Sequence, residues 1–250
     1  MAAERMMHQH WQPVFTPLHL LIAGATLVEY NTHALFNASW PGISKRLKFS
    51  ILFFGAAGTA ACIISVLLLP VRVTLFALLL GLLSVGYSLP ILPFMKGRRL
   101  KDFGLAKIVI LTWVWVLVTT VLPMIYWEYK LQPPLTAEII LRFLLIFPLC
   151  IAFDIRDVAP DKRNDILTLP NAIGIGGSRL FMAFLLLAFS IGGTIRAFAA
   201  PATHAWWIYP LVGLCTWWAI SKTTSGKNDF RYLLLVDGMM LVYGLLTLWQ

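Results

Sequence analysis

Charge is scarce in this 250-residue chain. Charged residues make up 12% of it, about half of the roughly 25% that is usual in soluble globular domains. Apolar residues reach 59% and collect in long runs, so the composition excludes an ordinary soluble domain and predicts an integral membrane protein. The net charge of +9 does not indicate nucleic-acid binding, because the surplus Lys and Arg residues lie in short loops between apolar runs.

Cysteine is also scarce. The chain has three cysteines, Cys62, Cys150 and Cys215, and all of them lie inside apolar runs. An odd number without metal-like spacing excludes a disulfide framework and a zinc site, and favours packing as small apolar side chains. The first residues, "MAAERMMHQHWQP", lack the basic start, apolar core and cleavage site of a secretory signal peptide, so none is predicted.

Long apolar runs predict the fold class. A membrane-spanning helix needs about 20 apolar residues. Eight segments qualify: 16–36, 49–69, 72–89, 105–127, 135–153, 178–198, 204–220 and 231–249. Because the connections are short and only helices satisfy their own backbone in lipid, we expect residues 1–250 to form a single all-α transmembrane domain. Residues 1–15 are expected to form a short N-terminal tail.

The basic residues predict the orientation of these helices. Most of the 20 Lys and Arg residues lie in four alternating loops, at 37–48, 90–107, 154–179 and 221–231. The positive-inside rule makes that side cytoplasmic and leaves the N-terminus outside. We therefore predict a multi-pass protein of a prokaryotic inner or plasma membrane.

The few acidic residues are concentrated in one of these cytoplasmic loops. Four of the 11 lie in the stretch "FDIRDVAPDKRND": Asp154, Asp157, Asp161 and Asp165. If the preceding helix continues for two more turns, the first three share one helix face and repel one another unless a cation lies between them. Pro160 opposes such a continuation, because proline lacks the N–H group and disfavours helix at the residue before it. A loop position for Asp161 is the alternative.

This stretch has the residue types that a metal–diphosphate complex requires. Mg²⁺ takes carboxylate oxygens together with substrate phosphate oxygens. The same stretch contains Arg156, Lys162 and Arg163, whose cations suit phosphate. A diphosphate on a lipid tail would place its head in this loop and its tail among the helices. A solvated loop with local ion pairs is the alternative, and the spacing alone leaves both open.

Two stretches resemble motifs of a known family. "DIRDVAPDKRNDILTLP" resembles the second aspartate-rich motif of the UbiA superfamily of intramembrane prenyltransferases, in the form found in its menaquinone and chlorophyll branches. "YSLPILPFMKGRRLKDFGLAK" resembles that family's Tyr–Lys loop, with Tyr87 and Lys96 matching at a longer spacing. The resemblance covers most of the chain from the start of the first apolar segment onward.

The resemblance implies a helical bundle around a central cavity that opens to the cytoplasmic side. It also implies Mg²⁺-dependent transfer of the prenyl group of an isoprenyl diphosphate to a lipophilic acceptor, either aromatic or a quinone precursor. The implied metal ligands are Asp154, Asp157 and Asp161, and the implied catalytic residues are Asp157, Asp161, Tyr87 and Lys96. The implied substrate-binding residues are Asn31, Arg98, Arg156, Lys162, Arg163 and Asn164. Membrane lipids are further partners, and the sequence indicates neither nucleic acid nor a protein partner.

The family's first aspartate motif is degenerate in this chain. The corresponding stretch is "EYNTHALFNAS", which keeps Asn31. The three aspartate positions are taken by Thr32, Leu35 and Ser39. Eight apolar segments in place of the family's nine helices indicate that its first helix is missing. Glu29 and His33 share a helix face and either replace the lost ligands or form structural ion pairs.

Other functions remain open on the same residues. A catalytically impaired isoprenoid-binding or scaffold protein of this fold is supported by the degenerate first motif. A transporter that uses Glu29, Asp154 and Asp237 as an ion path lacks support from any inverted repeat. We expect Asp237 to make a structural ion pair, and Arg142, near the outer end of its helix, to extend its charged end to the membrane surface.

Overall fold

The computed structural model describes residues 15–37, 44–88, 100–199, 205–222 and 232–248. Across these ranges the secondary structure is helical and includes no β-strand. The helices are α1 (Pro17–Asn37), α2 (Lys45–Leu68), α3 (Val71–Ser88), α4 (Leu105–Tyr126), α5 (Pro133–Arg156), α6 (Val158–Arg163), α7 (Leu169–Ala199), α8 (Ile208–Ser221) and α9 (Gly238–Thr247). A π-helical turn, Leu117–Val121, lies within α4, and a π-helix, Tyr232–Asp237, leads into α9.

Each of the eight apolar segments predicted from the sequence contains a helix, so the all-α membrane fold is confirmed. Helices α2, α4, α5 and α7 are long and apolar enough to cross a membrane. Helices α3 and α8 and the stretch Leu234–Thr247 are shorter apolar helices. The number of spans and the side of the membrane on which each loop lies stay predictions.

Local sequence determines where several of these helices begin and bend. Ser44 caps α2, because its hydroxyl accepts a hydrogen bond from the Leu47 N–H at 3.3 Å. Helix α5 opens with Pro133, whose fixed φ suits a first helical position and whose missing N–H would have no partner there. Helix α7 begins at Leu169, before the segment 178–198 predicted from the sequence. It contains a kink at Gly174, where φ is +75°.

The chain divides into two compact units. The first comprises Met1–Trp11, Leu100–Val121 and Lys130–Gln250, and the second comprises Gln12–Arg99 and Leu122–Tyr129. The core of the first unit includes the buried side chains Ile151, Ile155, Met182, Phe189 and Val212. The core of the second unit consists of Leu18, Leu21, Leu69, Val73 and Leu122. The prediction of a single domain for residues 1–250 stays a prediction.

Within the second unit, α1 and α2 pack at close range through two glycines. A Cβ atom on Gly24 would lie 2.8 Å from the Gly58 carbonyl oxygen, and a Cβ on Gly58 would lie 2.8 Å from the Gly24 carbonyl oxygen. Small residues at such a crossing let two backbones approach without a side chain between them. This is the packing that helices use in lipid, where burial of apolar surface gives no advantage over contact with the acyl chains.

The outer faces of the long helices are apolar. In α2 the exposed side chains include Phe49, Phe53, Ile63 and Leu67. A large exposed apolar surface of this kind indicates contact with a membrane or with another protein. On helices of this length and composition, lipid contact is the simplest explanation.

Candidate functional site

Two aspartates of the acidic stretch, Asp154 and Asp161, contact a buried lysine. Lys107, in the first turn of α4, is only 7% exposed. Its Nζ lies 2.8 Å from Asp154 Oδ1 and 2.8 Å from Asp161 Oδ2. Since Asp154 belongs to the last turn of α5 and Asp161 to α6, one ammonium group joins three helices of the first unit.

The helix does continue past Phe153, with one interruption. Helix α5 ends at Arg156, Asp157 connects the two helices, and α6 begins at Val158. Pro160 lies in the first turn of α6, where a backbone N–H would have no intrahelical acceptor, so its missing donor costs little. The Asp161 N–H donates to the Asp157 carbonyl at 2.9 Å. Asp161 is therefore helical, and the loop alternative is wrong.

Asp157 is the most accessible of the three carboxylates Asp154, Asp157 and Asp161. It is 35% exposed and pairs with its neighbour Arg156, whose Nε lies 2.8 Å from Oδ1 and whose Nη2 lies 3.0 Å from Oδ2. The Arg156 guanidinium also stacks near the rings of Phe153 and Tyr232, with its central carbon 5.2 and 5.6 Å from their centroids. Cation–π contacts of this kind hold a guanidinium in place without using its hydrogen-bond donors.

One carboxylate oxygen of Asp154, called the spare oxygen below, has no hydrogen-bond donor among the described residues. Oδ1 of Asp154 binds Lys107, but its Oδ2 is buried and accepts no hydrogen bond from any residue that the structure describes. A buried carboxylate oxygen without a donor is unusual and requires an explanation. It supplies an acceptor that a cation or a donor group entering the site can use.

The donor set fits a single Mg²⁺ ion held mainly by a substrate. Within the described ranges, no group of three or more His, Cys, Asp or Glu side chains is arranged to hold a metal. Mg²⁺ in phosphate-handling sites needs only one or two protein carboxylates, since the substrate and water complete its six ligands. Asp157, which is 35% exposed, and the spare oxygen of Asp154 supply that number of carboxylates.

The other substrate-binding residues predicted for this loop lie on its exposed side. The two cations, Lys162 and Arg163, and the neutral Asn164 are all exposed. Arg163 Nε donates to the Ala159 carbonyl at 3.3 Å, and the Asn164 N–H caps α6 through the carbonyls of Pro160 and Asp161. The loop therefore presents two cations to solvent, next to the accessible Asp157–Arg156 pair.

The remaining predicted residues belong to the second unit or lie outside the described ranges. Asn31, on α1, donates through Nδ2 to the Leu27 carbonyl of its own helix at 2.7 Å. Tyr87 is half-buried near the end of α3. Lys96 and Arg98 lie outside the described residues, as does the side chain of His33. The roles assigned to these residues by resemblance stay predictions.

Lys107 was not singled out from the other basic residues that the sequence predicts to be cytoplasmic. The sequence did contain two indications. Three carboxylates on one helix face require a cation nearby, and Lys107 begins the apolar run "KIVILTWVWV". A charged residue at the edge of a membrane span is a functional candidate.

Gly104 allows Lys107 to reach the aspartates. Its φ is +51°, a conformation that L-residues rarely adopt, and a Cβ atom there would lie 2.3 Å from the Leu167 carbonyl oxygen. The start of α4 therefore contacts the backbone of the segment that follows α6. This contact fixes the helix turn that carries Lys107.

Replacing Gly104 with alanine should destabilise the protein by at least about 1–3 kcal/mol, the usual cost of one strained backbone position. The close contact with Leu167 adds to that cost. Gly244→Ala is the control, because a Cβ at this helical position meets no atom within 4 Å. Thermal unfolding of the two variants in detergent measures the difference, and equal stabilities would contradict the role of Gly104.

A second buried polar cluster lies toward the opposite end of α5. Glu138 is 0% exposed. Its Oε1 accepts from Arg142 Nε at 2.8 Å and from Tyr243 Oη at 3.0 Å, and its Oε2 accepts from Arg196 Nη1 at 2.9 Å. Because these partners lie on α5, α9 and α7, hydrogen bonds to one carboxylate connect three helices.

The expectation that Arg142 extends to the membrane surface is wrong. Arg142 is buried, and besides Glu138 it binds the Thr119 carbonyl of α4 through Nη1 at 3.1 Å. The physical reason is the carboxylate four residues earlier, which offers the guanidinium a partner inside the protein. Tyr209 of α8 joins the cluster through its Oη, 3.0 Å from Arg196 Nη1.

Comparison with known proteins agrees with the motifs. The model of the UbiA prenyltransferase family matches residues 37–234, a range that begins at the end of α1 and includes the whole aspartate loop. The solved apo structure of a UbiA homolog from Aeropyrum pernix K1 has a similar fold, with a TM-score of 0.60, 14% sequence identity, and coverage of 95% of this chain and 92% of that one. No curated protein matches the sequence. The resemblance seen in the sequence is therefore confirmed, and the chain belongs to the UbiA prenyltransferase family.

Proposed function

We propose that this protein is a membrane prenyltransferase that binds an isoprenyl diphosphate at the aspartate loop with Mg²⁺ and transfers the prenyl group to a lipophilic acceptor. The proposal depends chiefly on one observation. The accessible Asp157–Arg156 pair lies at the junction of α5 and α6, the two helices that carry the Lys107 partners Asp154 and Asp161. We place this loop on the cytoplasmic side, following the distribution of basic residues.

A change of the Arg156 partner, from Asp157 to the entering diphosphate, would make the Asp157 carboxylate available to a metal ion. A guanidinium binds a phosphate group in the same two-pronged way in which it binds a carboxylate. An entering diphosphate would therefore take Arg156 as a partner and leave Asp157 free for a metal ion. Asp154 and Asp161, each through the carboxylate oxygen that does not bind Lys107, are the further proposed ligands of Mg²⁺. When bound, the ion would withdraw charge from the diphosphate oxygens.

The cations of the aspartate loop would stabilise the leaving group. Transfer breaks the bond between the prenyl carbon and the diphosphate oxygen, and the electron pair stays on the diphosphate. Lys162, Arg163 and Arg156 would bind this developing negative charge, with Asn164 as an additional donor. The acceptor atom then bonds to the prenyl carbon and loses its proton to water. Tyr87, Lys96, Asn31 and Arg98 keep the roles that the resemblance implies.

Ligand-induced stabilisation tests this proposal. Mg²⁺ together with an isoprenyl diphosphate at about 100 times its dissociation constant should stabilise the purified protein by about 2.7 kcal/mol. Asp157→Asn should remove most of the shift, because it removes the accessible carboxylate. Asp165→Asn is the matched control, since Asp165 is exposed in the same loop, and it should respond like the wild type. Absence of a shift at every prenyl chain length would contradict the proposal.

A catalytically impaired isoprenoid-binding or scaffold protein of the same fold is the second candidate. Its support is the loss of the three aspartates of the first motif, together with the binding of two second-motif carboxylates to Lys107. This candidate predicts that an isoprenyl alcohol stabilises the protein as well as the diphosphate does, with or without Mg²⁺. The transferase predicts a shift that needs both the diphosphate and the metal.

A further inference from the structure

We propose that Lys107 is the resident cation of the Asp154–Asp161 pair. Its ammonium group takes the position between the two carboxylates that a divalent ion would otherwise occupy, so the free protein holds no divalent ion at this pair. The inference depends only on the geometry of these three residues. One consequence rests on the proposed function: a metal ion would reach the loop mainly as its diphosphate complex.

The distances define the position of the ammonium group. Nζ is 2.8 Å from one oxygen of each carboxylate, which is the length of a strong charge-assisted hydrogen bond. Asp154 and Asp161 are only 2% and 8% exposed. Two buried carboxylates this close to one ammonium would repel each other strongly without it, so a cation at this point stabilises the fold.

An ammonium group and a divalent ion cannot share this position. Mg²⁺ approaches its oxygen ligands to 2.0–2.1 Å. A metal bound to Asp154 Oδ1 and Asp161 Oδ2 would therefore occupy the space of Nζ, and the two positive charges would repel at short range in a buried environment. Occupancy of the position between Asp154 Oδ1 and Asp161 Oδ2 by one cation therefore excludes the other.

The pair has the chemistry of a divalent site once the ammonium is removed. Carboxylate oxygens are the preferred ligands of Mg²⁺ and Mn²⁺. Asp154 contributes a second oxygen, Oδ2, which is buried and accepts no hydrogen bond from the described part of the chain. That oxygen is an additional ligand for an ion bound between the two side chains.

The test removes the ammonium group and counts bound metal. Lys107→Met keeps an unbranched side chain and loses the charge. Mn²⁺ binding to the full-length protein in detergent is followed by electron paramagnetic resonance, without isoprenyl diphosphate. We expect Lys107→Met to bind Mn²⁺ at least about 10-fold more tightly than the wild type, because a competing cation has been removed. Its melting temperature should rise with Mn²⁺ or Mg²⁺, while that of the wild type should not.

Two matched variants show whether the Mn²⁺ ion binds at the Asp154–Asp161 pair. Lys162→Met removes an exposed lysine from the same loop and should bind Mn²⁺ like the wild type. The double variant Lys107→Met/Asp161→Asn retains only one carboxylate of the pair and should lose the gain in affinity. Retention of the gain in the double variant would overturn the proposal.

Two further results would overturn it. One is a folded Lys107→Met protein that binds no more Mn²⁺ than the wild type. The other is tight Mn²⁺ binding by the wild type that Asp161→Asn abolishes.

If Lys107→Met folds only when Mg²⁺ is supplied, the ion has replaced the ammonium and the proposal stands. If Mg²⁺ does not rescue its folding, the pair accepts no divalent ion and the proposal fails. Because no diphosphate is used, these outcomes are independent of the transferase proposal.

Discussion

Replacing Glu138 with alanine should lower the free energy of unfolding by about 3–5 kcal/mol, the usual cost of breaking a buried ion pair. Glu138 is fully buried and accepts hydrogen bonds from Arg142, Arg196 and Tyr243. Its loss leaves two guanidinium groups inside the first unit without their carboxylate. Each guanidinium must then find water or remain uncompensated, and both alternatives disturb the packing of α5 against α7 and α9.

A surface ion pair of the same chain provides the control. Glu128 is 68% exposed and pairs with Arg72 in the second unit. Exposed pairs contribute about 0–1 kcal/mol, so Glu128→Ala should change stability by less than about 1 kcal/mol. Reversible unfolding in mixed micelles compares the two variants. Similar small losses for Glu138→Ala and Glu128→Ala would contradict the structural role of the buried cluster.

Replacing Lys107 with methionine, in buffer without divalent ions, should also cost about 3–5 kcal/mol, because two buried carboxylates lose the cation between them. The effect should depend on Asp161, whose Oδ2 is 2.8 Å from Nζ. In a double-mutant cycle, Lys107→Met and Asp161→Asn should show a coupling energy of about 0.5–3 kcal/mol. The free energy of unfolding of the four proteins measures it.

The exposed Lys162 again provides the comparison. Lys162→Met should change stability by no more than about 0.5 kcal/mol, as is usual for surface substitutions, and should be additive with Asp161→Asn. Additive effects of Lys107→Met and Asp161→Asn would show that the ammonium and the carboxylate do not stabilise each other. Such a result would remove the basis for treating Lys107 as part of the site.

The helices were predictable because they depend on local properties of the sequence. Apolar runs of about 20 residues locate membrane helices, and each predicted segment contains one. The aspartate spacing was also informative, because Asp154 and Asp161 do meet at a single point. Two local details were not predicted. Pro160 is accommodated in the first turn of a new helix, and α7 begins at Leu169 with a kink at Gly174.

The partners of the charged residues were harder to predict, because they come from distant parts of the chain. Lys107 and Asp161 are 54 positions apart, and Glu138 and Tyr243 are 105 positions apart. Nothing in local periodicity indicates which of several cations approaches a given carboxylate. Arg142 illustrates the difficulty. Its partner Glu138 is only four residues away, yet burial of the pair depends on Arg196 and Tyr243, contributed by other helices.

The first aspartate motif shows the limit of an argument from resemblance. The resemblance assigns Asn31 to the family's first motif, and its side chain donates to its own helix at the Leu27 carbonyl. The family match begins at residue 37, beyond this position. Whether Glu29 or another residue supplies the missing ligands depends on contacts with substrate, which the sequence pattern does not specify.

Release of inorganic diphosphate from a labelled isoprenyl diphosphate tests the central claim most directly. The protein in lipid nanodiscs is mixed with Mg²⁺, the labelled substrate and a lipophilic acceptor fraction. We predict Mg²⁺-dependent release of diphosphate and labelling of the acceptor fraction. Both should fall by about 10²–10³-fold in Asp157→Asn, as when one electrostatic stabilising group is lost from an active site, and remain unchanged in Asp165→Asn. Binding of the diphosphate without any release, at every prenyl chain length, would contradict the transferase and identify an isoprenoid-binding protein.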